Sequence, residues 1–205
     1  MDYYYLSPNI IACDNFLPPY SLDEIKIELL NNRSSFQIPE WNEQGETKPQ
    51  SYSSKCGAAD YWIYEGMEPP SNKKILNLSE WFLNQGIINF TRHKTSVFDL
   101  LKRRFKSEVH VLSYNHGGYY NWHADGREAN LFTFNLILYE GDQLKGGDML
   151  FRDNGETITV PTKNNFFVVF PSYIMHAITP LYSADKKDVP FAAQRFSIQH
   201  WMNLY

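Results

Sequence analysis

Cysteine is scarce in this sequence. Cys13 and Cys56 are the only two, too few for a disulfide framework and not spaced as metal ligands, so free thiols in a reducing compartment are expected. Neither sign of charge dominates: 19 Lys and Arg stand against 23 Asp and Glu, a formal net charge of −4. Without a basic field, and with no basic cluster beyond Lys102-Arg103-Arg104, nucleic acid is not an expected partner. Long hydrophobic runs are also missing. None reaches the roughly 18 apolar residues that a membrane helix needs, and no membrane partner is expected. The opening Met1-Asp2-Tyr3-Tyr4-Tyr5 has no positive region leading into an apolar stretch, so no secretory signal is read there and a cytoplasmic location is expected. Apolar material, by contrast, is plentiful. With 43% hydrophobic and 16% aromatic residues in a chain of 205, a substantial core can be buried, which excludes disorder. That length fits one domain over residues 1–205.

The chain changes character once. Residues 1–107 read as a helical buttress with a polar insert, and residues 108–205 almost entirely as strands. Ser21-Leu22-Asp23-Glu24 has the form of a capping box, and Leu22, Ile25, Ile27, Leu29 and Leu30 give the helix it starts an apolar side. A second helical region is expected from about Lys74 to Phe105. Its apolar face comprises Leu76, Trp81, Phe82, Ile87, Ile88, Phe98, Leu100 and Leu101, with an interruption at Gly86 or Thr91. Between the two, Asn32 to Ser71 is long and polar, and reads as a lid or substrate-facing element, with a plain surface excursion as the alternative. Trp41, Tyr52, Tyr61 and Trp62 are its candidate substrate contacts. From Glu108 onward, short apolar runs alternate with turn signals at Asn115–Gly118, Lys145–Asp148, Asp153–Gly155 and Pro161–Asn165. Such a series predicts an all-β sandwich or barrel with the helices packed on one outer face.

Of the six histidines, only His123 has a carboxylate two residues on, in His123-Ala124-Asp125. Residues i and i+2 of extended backbone share a face, so an imidazole and a carboxylate can meet one ion there. A third ligand is available at His176, whose strand otherwise carries Ile174 and Ile178 on the same face. Two His and one carboxylate leave open positions on a metal, the arrangement of non-haem Fe(II) oxygenases. Read singly, each element has a bland explanation: His-x-Asp arises by chance, and a lone His on an apolar strand is more often a satisfied core residue. Further on, Arg195, Ser197 and Gln199 share one strand face and Phe196, Ile198 and His200 the other. An Arg and a Ser two apart on an inward face suit a carboxylate; an edge-strand Arg in a surface salt bridge would give the same pattern.

Together these segments resemble the prolyl-4-hydroxylase-like branch of the 2-oxoglutarate- and Fe(II)-dependent dioxygenases. The likeness is carried, in order, by Tyr114, Gly117, Gly118, Tyr120, His123 and Asp125; by Leu136, Tyr139, Gly146, Gly147 and Phe151; by Val160-Pro161, Phe170-Pro171-Ser172, His176 and Pro180; and by Arg195, Ser197 and Trp201. It spans about residues 108–202, with a weaker likeness at Asp14–Pro18. The resemblance implies a mainly β chain with N-terminal helices, folded as a double-stranded β-helix (jelly-roll, cupin-like) barrel. It implies Fe(II) on His123, Asp125 and His176, with no catalytic residue beyond the metal centre. It further implies the distal carboxylate of 2-oxoglutarate on Arg195, helped by Ser197 and Tyr114, with O2 as second co-substrate and ascorbate as reductant. Tyr120, Trp122 and Phe170 would shield the metal from water, and Gly146 and Gly147 would serve structure. Arg195 follows His176 by 19 positions, longer than the family pattern, and the excess, Ser183–Pro190, is expected as a surface hairpin.

The activity implied is hydroxylation of an unactivated C–H bond, coupled to conversion of 2-oxoglutarate into succinate and CO2. Asp125 argues for oxygenation, since related halogenases replace that carboxylate. A prolyl residue of a protein or peptide is the leading substrate. The alternatives are a free amino acid or small metabolite, hydroxylated or desaturated, and a non-catalytic barrel used as a binding module. A nucleic-acid demethylase of the same superfamily is disfavoured by the acidic balance.

Overall fold

Along one strand Phe132, Phe134, Leu136 and Leu138 alternate with Thr133, Asn135 and Ile137, and that two-residue period divides the molecule into layers. The computed structural model describes residues 1–36, 58–63, 73–92, 97–103, 105–126, 130–141 and 143–204. In chain order the described elements are β1 (Tyr3–Ser7), β2 (Ile10–Cys13), α1 (Pro19–Asn31), β3 (Ala58–Ile63), α2 (Lys73–Phe82) and α3 (Gln85–Thr91). There follow β4 (Phe105–Tyr114), β5 (Tyr120–His123), β6 (Asn130–Tyr139), β7 (Leu144–Gly146), β8 (Met149–Asp153) and β9 (Glu156–Val160). The last are β10 (Phe166–Pro171), β11 (Met175–Ile178), β12 (Leu181–Ser183) and β13 (Arg195–Leu204).

A seven-stranded sheet in the order β1-β2-β10-β6-β13-β4-β3 faces a four-stranded sheet in the order β5-β11-β8-β9. All their pairings are antiparallel, and non-consecutive strands lie side by side, as in the double-stranded β-helix that the resemblance implies. β13 lies inside the large sheet, in continuous register with β4 on one side and, up to a shift between Met202 and Asn203, with β6 on the other.

Two apolar cores result. On the outer face of the large sheet, Phe132, Phe134, Leu136, Val111, Phe167 and Ile198 pack against Ile25 and Leu29 of α1, Ile75, Leu78 and Phe82 of α2 and Ile87 of α3. The ring of Phe82 stacks on Phe134 at 5.5 Å and on Phe167 at 5.2 Å, so Phe82→Ala would remove about 3–5 kcal/mol. Between the sheets, Leu112, Tyr114, Ile137, Val168 and Phe170 meet Met149, Phe151, Ile174 and Ile178. The candidate functional residues sit in this second layer.

The helices depart from the sequence reading in detail. Ser21 is not an N-cap: α1 starts at Pro19, after Pro18, without a side-chain cap, because a proline at the first helical position needs no donor and arrives with its φ preset. Glu24 pairs instead with Lys74 at 2.8 Å. The buried face of α1 is Ile25, Glu28 and Leu29, while Ile27 and Leu30 are 57% and 46% exposed. The second helical region is three pieces, since Asn84 caps α3 by accepting from the Ile87 N–H, and residues 97–102 form a 3-10 turn. Trp81, expected in the apolar face, is 37% exposed. The hairpin β1–β2, which extends the large sheet at one edge, has no counterpart in the sequence reading. The excess before Arg195 begins at the last residue of β12 and continues as a loop, pinned where Asn115 exchanges hydrogen bonds with Val189. β13 keeps its register despite that insertion.

Two buried titratable groups meet at the first turn of α2. The Glu28 carboxylate accepts from the N–H groups of Lys74 at 2.9 Å and Ile75 at 3.2 Å, filling the role of a cap from another helix. Burial nevertheless pushes its carboxyl up to about 7. His200, edge-on to Phe82 at 4.8 Å, is pulled down to about 3 by burial, with the Ile75 backbone opposing the shift. The signs are opposite. Folded His200 resists a proton that the unfolded chain takes below 6.5, so its contribution is complete above that pH and is lost on acidification. Folded Glu28 holds its proton longer than the unfolded chain does above 4.5, so its contribution is lost as pH rises towards 7. The two cancel between about pH 4.5 and 6.5. Relative to the natural protein, stability from urea unfolding should rise more steeply with pH across that window in Glu28→Gln and less steeply in His200→Leu, each by up to about 1.4 kcal/mol per pH unit. Parallel profiles in the two variants would overturn the assignment.

Candidate metal centre

β5 and β11 run side by side at one edge of the small sheet, with His123 in register with His176. Asp125 follows two residues after His123, as extended backbone requires for a shared face. The three side chains converge, with ligand atoms all within 4.8 Å of one another. Asp125 Oδ1 is 3.5 Å from His123 Nε2, and Oδ2 is 3.4 Å from His176 Nε2. Each imidazole donates its Nδ1–H to a main-chain carbonyl two residues back, His123 to Asn121 at 2.8 Å and His176 to Ile174 at 3.0 Å. Carbonyls only accept, so both Nε2 lone pairs are left for the centre. His176 Nε2 is buried without a partner, a costly arrangement for a core histidine and a natural one for a ligand.

The electrostatics agree. Burial alone would raise the Asp125 carboxyl, yet His176, His123 and the Thr133 hydroxyl outweigh it and hold the group well below the usual carboxylate range. Burial drives His176 down to about 4, against the pull of Asp125. Ionised carboxylate and neutral imidazoles are the states in which these groups bind a metal. Tyr120 lies 4.0 Å from the His123 ring, and Phe170 meets the His176 ring edge-on at 4.8 Å. Trp122 turns elsewhere and packs under Arg152, whose guanidinium carbon is 4.3 Å from the ring centroid.

Deeper in the same layer Arg195 is fully buried. It donates to Ser197 Oγ at 2.8 Å and lies 5.0 Å over the ring of Tyr114, its register partner on β4. Its Nε and Nη2 have no partner. Burial pulls the guanidinium down to about 10, against Tyr114 and Asp148, and it stays charged at neutral pH. A buried cation with two idle donors calls for an anion, and the fork geometry suits a carboxylate. Gly147 makes room for it: at φ +73°, a Cβ there would stand 3.0 Å from Arg195 Cδ and from Leu181 Cγ. These residues fit Fe(II) on the His-Asp-His cluster and a diacid reaching from it to Arg195.

Of the expected substrate contacts, Trp41 and Tyr52 lie outside the described residues. Tyr61 and Trp62 lie on β3, the edge strand of the large sheet, as register partners of Val111 and His110. The sequence reading passed over Thr133, whose hydroxyl donates to Asp125 Oδ2 at 2.8 Å and contacts Ser172 Oγ at 3.1 Å. Its signal was a polar residue on the period-two face of an otherwise apolar run. Thr133→Val should weaken Mn(II) affinity by about 10- to 100-fold in equilibrium dialysis; unchanged affinity would reduce Thr133 to a packing residue. Gly147→Ala should cost about 1–3 kcal/mol in urea unfolding, and a neutral result would show that the Arg195 stem has room to move.

No relative was found among curated protein sequences. Residues 109–203 match the family model of the 2OG-Fe(II) oxygenase superfamily. Among solved structures, the chain is similar to a prolyl-4-hydroxylase from Pseudomonas putida, with a TM-score of 0.64 at 19% identity over 96% of this chain and 93% of that one. It is similar also to a Trichoplax adhaerens prolyl hydroxylase solved with a hypoxia inducible factor peptide fragment, with a TM-score of 0.67 at 17% identity over 96% and 84%. A third is OsALKBH1, with a TM-score of 0.61 at 14% identity over 97% and 100%. At these identities the structural likeness speaks for the fold, and the converging His-Asp-His cluster fits the metal centre that a match to the 2OG-Fe(II) oxygenase superfamily over residues 109–203 implies.

Proposed function

We propose that this protein hydroxylates a prolyl residue of a protein or peptide, using 2-oxoglutarate and O2, with Fe(II) held by His123, Asp125 and His176. The observation that carries the reading is the pairing, within one buried layer, of the three converging ligands with a guanidinium that has unmet donors. When bound, the iron supplies the activation of dioxygen. The chain supplies the rest. Arg195, with Ser197 and Tyr114 beside it, takes the distal carboxylate of 2-oxoglutarate. The main-chain carbonyls of Asn121 and Ile174 keep both Nε2 atoms deprotonated. Tyr120, Phe151 and Phe170 exclude water from the centre. The choice of a prolyl substrate is supported by the likeness to two prolyl hydroxylases, and ascorbate belongs to the same reading as the reductant of idle iron.

The test is succinate release from 2-oxoglutarate under air with added Fe(II) and ascorbate. Proline-containing peptides should stimulate it, and His123→Ala should lower it by at least about 100-fold, in keeping with the loss of a metal ligand. Stimulation by free proline or another free amino acid, and not by peptides, would replace the peptide substrate with a small one. Absence of both turnover and 2-oxoglutarate binding by the Mn(II)-loaded protein would leave a binding barrel.

A further inference from the structure

Asn135 belongs neither to the ligand cluster nor to the Arg195 pair, yet it is fully buried and its Oδ1 has no hydrogen-bond partner. Its Nδ2 meets only the Met149 thioether, at 3.9 Å, a weak acceptor. A buried amide so poorly matched is an expensive thing to keep in a core. Its position is informative. On β6 it shares a face with Thr133, which donates to Asp125, and with Ile137, the register partner of Ser197. Same-face neighbours on a strand stand roughly 6.6 Å apart. The amide is thus one step from the support of the metal ligands and one step from the hydroxyl that holds the guanidinium. Met149, across from it on β8, shows that it projects into the space between the two sheets. Gln199, its register partner on β13, is also buried.

We infer that Asn135 binds the oxo-acid end of 2-oxoglutarate, its amide N–H donating to the C1 carboxylate while Arg195 takes the distal one. The inference rests on the co-substrate reading above. A metal-chelating carboxylate keeps a free oxygen, and that oxygen needs a donor that adds no further charge beside the iron. A neutral amide meets that need. Its terminal torsion is soft, and turning it from a thioether to a carboxylate replaces a poor bond with a charge-assisted one.

The test measures equilibrium binding to the full chain loaded with Mn(II), using three probes. These are 2-oxoglutarate, 2-oxopentanoate (which lacks the distal carboxylate) and 4-oxopentanoate (which lacks the C1 carboxylate). Asn135→Leu should weaken 2-oxoglutarate and 2-oxopentanoate by the same factor, about 10- to 100-fold for one charge-assisted hydrogen bond. It should leave 4-oxopentanoate and Mn(II) affinity unchanged. Arg195→Met should weaken 2-oxoglutarate and 4-oxopentanoate and spare 2-oxopentanoate. Should the leucine variant not fold, Asn135→Ser, too short to reach, carries the same expectation. An Asn135 variant that binds 2-oxoglutarate as tightly as the natural protein, while Arg195→Met binds it weakly, overturns the role of Asn135 and leaves the co-substrate reading standing. A natural protein that does not bind 2-oxoglutarate with Mn(II) overturns both.

Discussion

The register of β13 is the constraint on which the rest depends. Because it is paired without a break against β4 and over most of its length against β6, its two faces are committed to different jobs. Phe196, Ile198 and Met202 face the helices, and Arg195 and Ser197 sit in the layer between the sheets. A slip of one residue would send the guanidinium into the apolar helix seat and a phenylalanine towards the metal cluster. The long loop before β13 could have caused such a slip. The Asn115–Val189 pair prevents it by tying the end of the loop to the turn after β4, so the strand starts from a fixed point.

Most of the small-sheet site was legible because it obeys the simplest rule of extended chains. His123 and Asp125 stand two apart, and His176 stands alone among Ile174 and Ile178 on its strand face; neither fact needs tertiary information to be noticed. That they meet depends on β5 and β11 being neighbours, and this came from the family likeness, since pairing between distant strands leaves no mark on local periodicity. Thr133 and Asn135 escaped notice for the converse reason. In the run Leu131–Tyr139 their side chains are small or neutral, and a strand buried on both faces reads as one apolar stretch.

The helical half was read less well, and the misreadings share a cause. Ser21 and Glu24 form a capping pattern locally, but tertiary partners win: Pro19 starts α1 earlier, and Glu24 is drawn to Lys74. Glu28, which any amphipathic pattern would place outside, is buried because the exposed N–H groups of α2 need an acceptor there. Helices laid over a sheet are positioned by such needs at their ends as much as by their apolar stripes.

The two carbonyls that hold the imidazoles have a further consequence. In many metal sites the outer partner of a histidine is another side chain, so that changing a distant residue retunes the ligand. Here the partners are peptide oxygens of Asn121 and Ile174, and no substitution can delete them. The tautomer of each imidazole is therefore a property of the path of the chain, set by peptide oxygens whatever side chains surround them.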